Sequence, residues 1–219
     1  CITDAKGRIQ IDAWKPDGLT LAVRELTRDL ALEPAADDPA IDPDWGEPDL
    51  SLPEKVYAWS SFEILAMTAG RPAQPVNAIP GEARAHCQLR YVKDIDPAHI
   101  LPALRAHLDA HGHAQVTIEP ARKGFFHATR TDPDNAWVAL ARRSIESTTG
   151  KRPAVLPSFG GSLPNEVFAD ILGMPTVWIP HSHPGCSQHA PNEHMLESVA
   201  REGLAIMTGL FWDIGGATS

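Results

Sequence analysis

The chain has 219 residues, 43% apolar and 21% charged, enough to bury one large core or two small ones. Its apolar runs fall far short of the roughly 20 residues that cross a bilayer, and no basic-then-apolar leader precedes Ile2, so no membrane role is expected. A net charge of −9 excludes the basic footprint of a nucleic-acid binder. Three cysteines, Cys1, Cys87 and Cys186, lack the density and pairing of a secreted disulfide scaffold, which points to a reducing, cytoplasmic setting. The opening CITDAKGRI reads as the middle of a fold, so the expectation is part of a longer polypeptide.

In chain order, Leu19, Val23, Leu26 and Leu30 repeat at helical spacing and predict an amphipathic helix over residues 19 to 32. Residues 33 to 54 carry eight acids (Glu33, Asp37, Asp38, Asp42, Asp44, Glu47, Asp49 and Glu54) and no Lys or Arg, so this segment holds nearly all the net charge. Pro34, Pro39, Pro43, Pro48 and Pro53 forbid a long helix there, and a solvated surface excursion is expected. From residue 55 the pattern turns to strands. VYAWSSFEILAMT is rich in aromatic and β-branched residues. ARAHCQLRYV alternates between an apolar face (Ala83, Ala85, Cys87, Leu89, Tyr91) and a polar one (Arg84, His86, Gln88, Arg90). Asp96-Pro97 opens a helix with Ile100, Leu101, Leu104 and Leu108 along one stripe, Gly112 ends it, and AQVTIEP predicts a further strand.

After about residue 130 helices alternate with apolar runs. Asp132-Pro133 opens a helix with Trp137, Leu140, Ala141 and Ile145 inward and Gly150 at its end. A short helix over 164 to 172 closes at Gly173, PTVWIP reads as a buried strand, and Leu196, Val199, Ala200, Gly203, Leu204, Met207 and Phe211 form the inward face of a closing helix. The fold expected is α+β/α/β in three stretches. Residues 1 to 54 are a helix and acidic excursion. Residues 55 to 125 are a small lid or dimerisation domain with a helix-covered antiparallel sheet. Residues 126 to 219 are the C-terminal portion of an α/β catalytic domain whose remaining strands would lie upstream.

Four of the ten histidines crowd into HSHPGCSQHAPNEH, directly after PTVWIP. Loops at the carboxyl ends of such strands are where α/β proteins place ligands. His181, His183, Cys186, His189 and His194 are donors suited to zinc. Their spacing is not that of a zinc finger. Polar loop residues, packing partners or a structural zinc module of His181, His183, Cys186 and His189 all remain open readings.

Three ordered motifs, PVNAIPGEARAHCQLRYV, FGGSLP and QHAPNEH, together resemble the metallopeptidase M-twenty family of dinuclear zinc exopeptidases and amidohydrolases, over residues 55 to 214. That family includes carnosinase-like dipeptidases, acetylornithine deacetylase and succinyl-diaminopimelate desuccinylase. The resemblance implies a zinc ligand at His189, with Asn192 and Glu193 fixing its loop. It implies a lid residue near the reacting carbonyl at Asn77, a carboxylate-binding arginine at Arg90, and a pocket-lining turn at Gly160, Gly161 and Ser162. A guanidinium fork suits a substrate's terminal carboxylate. Two zinc ions would be implied, with manganese or cobalt as alternatives. The implied partners are a small peptide or N-acyl amino acid substrate and a second copy paired through the lid. GGSLP is spelled more as in the dipeptidases than in the deacylases, which usually carry an aspartate after the glycines.

The chain also departs from the family pattern. The family's chemistry needs a histidine, a bridging aspartate, a further acid and a paired Glu-Glu, one glutamate of which is the general base. No Glu-Glu occurs here, the family's lid histidine has no counterpart, and His107-Leu108-Asp109 lies near the end of an amphipathic helix with both side chains read as solvent-facing. No catalytic residue is therefore expected within the chain, the general-base glutamate being upstream. The expected function is the C-terminal part of a zinc-dependent dipeptidase or amidohydrolase, inactive by itself. The alternative is a non-catalytic dimerisation or ligand-binding lid.

Overall fold

Ile2 to Trp14 begin the chain's main core. Thr3 bridges antiparallel to Ile9, and the Asp4 carboxylate accepts the backbone N–H groups of Lys6 and Arg8 at 2.8 and 3.0 Å, closing the turn at Gly7. This hairpin delivers Ile9, Ile11 and Trp14 into one buried cluster, against which Phe62, Leu89, Ile100, Ala103 and Leu104 pack. Trp14 is 1% exposed, lies 5.5 Å from the Phe62 ring and donates its indole N–H to Ile100 O. A buried indole thus keeps its polar edge satisfied. The structure, a computed structural model, describes residues 2 to 32, 39 to 121, 126 to 183 and 185 to 217. Cys1, Glu33, Pro34, Asp37 and Asp38, which entered the sequence reading, lie outside the described residues.

The elements are α1 (Leu21–Arg28), α2 (Leu52–Tyr57), β1 (Ser61–Ala69), β2 (Ala83–Arg90), α3 (Ile100–Ala110), α4 (Ala136–Thr149) and α5 (Glu197–Ala217). Two units divide the chain: one holds residues 1 to 129 and 156 to 166, the other residues 130 to 155 and 167 to 219. The α+β character expected from the sequence is present: helices accompany a two-stranded antiparallel sheet.

In the first unit α1 is shorter than its apolar repeat, with Thr20 as N-cap. The strand expected from residue 55 begins only at Ser61. Ser51, Leu52 and Pro53 instead start α2, because Glu54 reaches back to the Ser51 N–H at 2.7 Å, a capping-box contact. Glu54 was grouped with solvated acids, yet it is 7% exposed, and its second oxygen receives Arg24 of α1 at 2.9 Å. The described remainder of the acidic segment, from Pro39 to Leu50, is mostly exposed and without helix or strand, as expected.

β1 and β2 pair with Phe62 opposite Leu89, Ile64 opposite Cys87, Met67 opposite Ala85 and Ala69 opposite Ala83. Leu65 is an unpaired bulge residue between Ile64 and Ala66. One extra residue shifts the side-chain alternation by one, which keeps Phe62, Ile64, Met67 and Ala69 on the apolar face read from β2. That face is covered only where Phe62 and Leu89 meet the core; Ile64 and Met67 are 61% and 70% exposed. The buried face expected along all of β2 is thus buried at one end. α3 follows the sequence reading, with the Asp96 carboxylate accepting the Ala98 N–H and Gly112 beyond its end at positive φ. AQVTIEP does not form a strand. Arg105 of α3 donates to Val116 O at 2.6 Å and His113 O at 3.1 Å, taking carbonyls that a ladder would need.

In the second unit α4 packs on α5. Asn135, not Asp132, caps α4, and Gly150 ends it in the left-handed conformation. The inward residues are Val138, Ala141 and Ser144, while Trp137, expected inward, is exposed. On α5 the half-buried or buried stripe is Val199, Gly203, Ile206, Met207, Gly209, Leu210 and Ile214; Leu196, Ala200, Leu204 and Phe211, also expected inward, are exposed. Gly209 admits α4, since a methyl there would collide with Thr148 Oγ1. The short helix before Gly173 is one turn of π-helix, Val167–Ile171. PTVWIP, expected as a buried strand, is neither: Val177 and Trp178 are exposed, and the Thr131 hydroxyl donates to Thr176 O and accepts from Thr176 N, standing where a neighbouring strand would bond. No described helix is long and apolar enough to cross a membrane.

Candidate functional site

β2 ends at Arg90, on the polar strand face. Its guanidinium Nη1 donates to Gly160 O at 2.7 Å, joining residues 70 positions apart. The structure thus brings together two of the sequence-derived site positions, Arg90 and the Gly160-Gly161-Ser162 turn. A Cβ at Gly160 would stand 3.4 Å from Nη1, an ordinary contact, so the approach of the fork does not itself demand glycine. Gly161 N returns to Phe159 O at 2.8 Å, so the turn is tight. Arg90 is exposed and its side chain makes no other hydrogen bond among the described residues, which leaves guanidinium donors for an incoming carboxylate.

Two neighbours in the same unit escaped the sequence reading. Tyr91 lies half-buried beside Arg90 and donates its hydroxyl to Phe126 O at 3.3 Å. Burial holds its phenol above the usual range; a backbone N–H at Ala128 opposes this, and the negative charge of Glu166 adds a smaller push in the same direction as burial. Glu166 follows the glycine turn and has a buried Oε2 without a hydrogen-bond partner. The signal for it in the sequence was only an acid two residues after GGSLP. Asn77 stands apart from this cluster. It sits in the exposed connection at the other end of the ribbon, separated from Arg90 by the length of β2, about 25 Å at ordinary strand rise.

In the second unit the His189 loop is held by its own backbone. His194 N donates to Cys186 O, Cys186 N to His183 O, and Glu193 N to Ala190 O. The Glu193 carboxylate accepts His189 N at 3.3 Å, which gives the acid of QHAPNEH a loop-fixing contact. Ser187, His189 and Asn192 all have positive φ, 57, 62 and 64°. Such conformations are uncommon outside glycine, and three within six residues mark a loop whose shape is specified at some energetic cost. The His189 side chain is exposed. Cys186 is buried, His183 meets His194 edge to face at 5.3 Å, and His181 lies over Gly203, where a Cβ would stand 2.7 Å from Nδ1. Pro184 lies outside the described residues.

No group of three His, Cys, Asp or Glu donors converges among the described residues. The four-donor zinc module open to the sequence is therefore not assembled: His183 is engaged with His194, and His181 packs on α5. Structural zinc takes four ligands, and His189 offers one. These residues do not by themselves make a metal site.

No family model matches the chain. Two curated relatives are the succinyl-diaminopimelate desuccinylases of Methylobacterium sp. (strain 4-46) and Methylobacterium nodulans. Each is 36% identical over 107 residues, covering 47% of this chain and 26% of the relative. Among solved structures, an M20 family metallo-carboxypeptidase from Sulfolobus solfataricus is similar with a TM-score of 0.76 at 20% identity, over 95% of this chain and 49% of that one. The dipeptidase Dug1p of Saccharomyces cerevisiae gives 0.73 at 20% identity, over 97% of this chain and 46% of its own. Human carnosine dipeptidase 1 gives 0.68 at 16%, over 96% and 46%. The chain has the fold found in M20 metallopeptidases, and the resemblance carried by its three motifs stands at the level of fold and, over 107 residues, of sequence. It spans about half the length of these structures and about a quarter of that of the curated relatives.

Proposed function

We propose that this chain supplies the lid and C-terminal catalytic portion of a metal-dependent hydrolase that cleaves an amide bond in a dipeptide or an N-acyl amino acid. The observation that carries the reading is Arg90, an exposed guanidinium anchored on the Gly160 turn 70 residues away in sequence. Its fork would orient a substrate through the terminal carboxylate, and binding energy from that end would position the amide. His189 would contribute one ligand to a zinc, manganese or cobalt site completed by residues outside this chain. Asn77 would act from the lid, at a distance from the carboxylate.

The relatives divide over the acyl side. The curated matches are desuccinylases, whereas the structural neighbours include dipeptidases. Both substrate classes present a free carboxylate next to the scissile amide, so both suit Arg90. The whole protein should hydrolyse members of one panel, dipeptides or N-succinyl and N-acetyl amino acids, lose that activity in chelator and regain it with zinc. Hydrolysis indifferent to chelation contradicts the proposal.

The lack of a three-donor group among the described residues favours a second reading for the chain alone, a lid that binds ligand and pairs with a second copy but does not catalyse. The isolated 219 residues should then show no turnover with either panel; turnover there would refute it.

A further inference from the structure

The last turn of α3 carries His107 and, at its C-cap, His111. Residues four apart share one helix face, and the two imidazole rings lie 4.1 Å apart at an interplanar angle of 31°. His111 Nδ1 sits 2.8 Å from His107 O. A carbonyl can only accept, so Nδ1 carries the proton and the lone pair of His111 is on Nε2. This is the tautomer and backbone anchor typical of metal-bound histidine. The pair also stands at the helix end where the peptide dipoles favour a cation.

We propose that His107 and His111 form a two-imidazole site for a divalent transition-metal ion on the last turn of α3, separate from the His189 loop. Two nitrogens at about 2.0–2.1 Å from an ion require a donor separation of about 3.4 Å, so the rings must turn out of their present stack for both lone pairs to meet it. Solvent would complete the coordination, since no third protein donor converges among the described residues. Asp109, between the two, is held by Arg105 at 2.8 Å. Leu108 follows His107 where a zinc-protease helix motif has glutamate, so the site is a clamp without a general base. An ion there would cross-link the helix end.

The test is titration of the untagged full chain with zinc chloride, followed by calorimetry and by the histidine ring resonances. The wild type should bind zinc with both α3 histidines shifting. His107→Gln and His111→Gln, which keep a helix-compatible side chain, should each weaken that binding roughly tenfold or more through loss of chelation. His86→Gln, an exposed change on β2, should leave it unchanged, and zinc should raise the melting temperature of the wild type but not of His111→Gln. Equal affinity in His111→Gln, or binding lost in His86→Gln, overturns the assignment; far-UV circular dichroism of each variant confirms that α3 persists.

Discussion

Arg90 is fixed by one hydrogen bond, to Gly160 O, which leaves the planar fork its capacity for a carboxylate. Lysine would keep the charge but lose the two-pronged geometry. Arg90→Lys in the whole protein should raise KM for free-carboxylate substrates about ten- to a hundredfold, the range of one charged hydrogen bond. Carboxamide analogues, already poor, should change little; equal losses on both would show that Arg90 does not read the carboxylate. Glu54 makes a structural prediction at the same scale. Its carboxylate joins the α2 N-terminus to Arg24 of α1 and is nearly buried, while Arg24 is 42% exposed. Glu54→Ala should destabilise the first unit by roughly 1–3 kcal/mol in chemical denaturation, and a loss near zero would count against the clamp. The sequence showed the type of both residues but not their partners. Gly160 is 70 residues from Arg90, and Arg24 is 30 from Glu54, distances that only the fold closes.

Helices declared themselves through caps and apolar stripes, and α3 and α4 stand close to where local chemistry put them. Strands were less legible because a strand needs a partner. AQVTIEP and PTVWIP have strand-like composition, yet Arg105 and Thr131 occupy backbone groups that a neighbouring strand would bond. The bulge at Leu65 was invisible in an apolar run, although it decides which face of β1 is apolar. That face is uncovered over Ile64 and Met67, and a two-stranded ribbon has open edges. We expect a second copy to pair there. Sedimentation at micromolar concentration should give dimers, and Ile64→Lys, an exposed change that costs the monomer little, should shift them to monomers. Monomers alone in the wild type would contradict this.

At the scale of the molecule, the α+β character and the three motifs were readable in sequence, and the fold of M20 metallopeptidases answers to both. The assembly of a metal centre was not readable, because ligands of such a site come from separated strands and loops, and among the described residues no three donors converge. The uncommon backbone of its loop, with His189 itself at a φ of 62°, shows a conformation specified by more than local preference. The most direct test is metal content and hydrolysis of the whole protein with His189→Ala. The account predicts loss of bound metal and a fall in kcat of roughly a hundredfold or more. A variant that retains its metal and its rate would contradict the central claim.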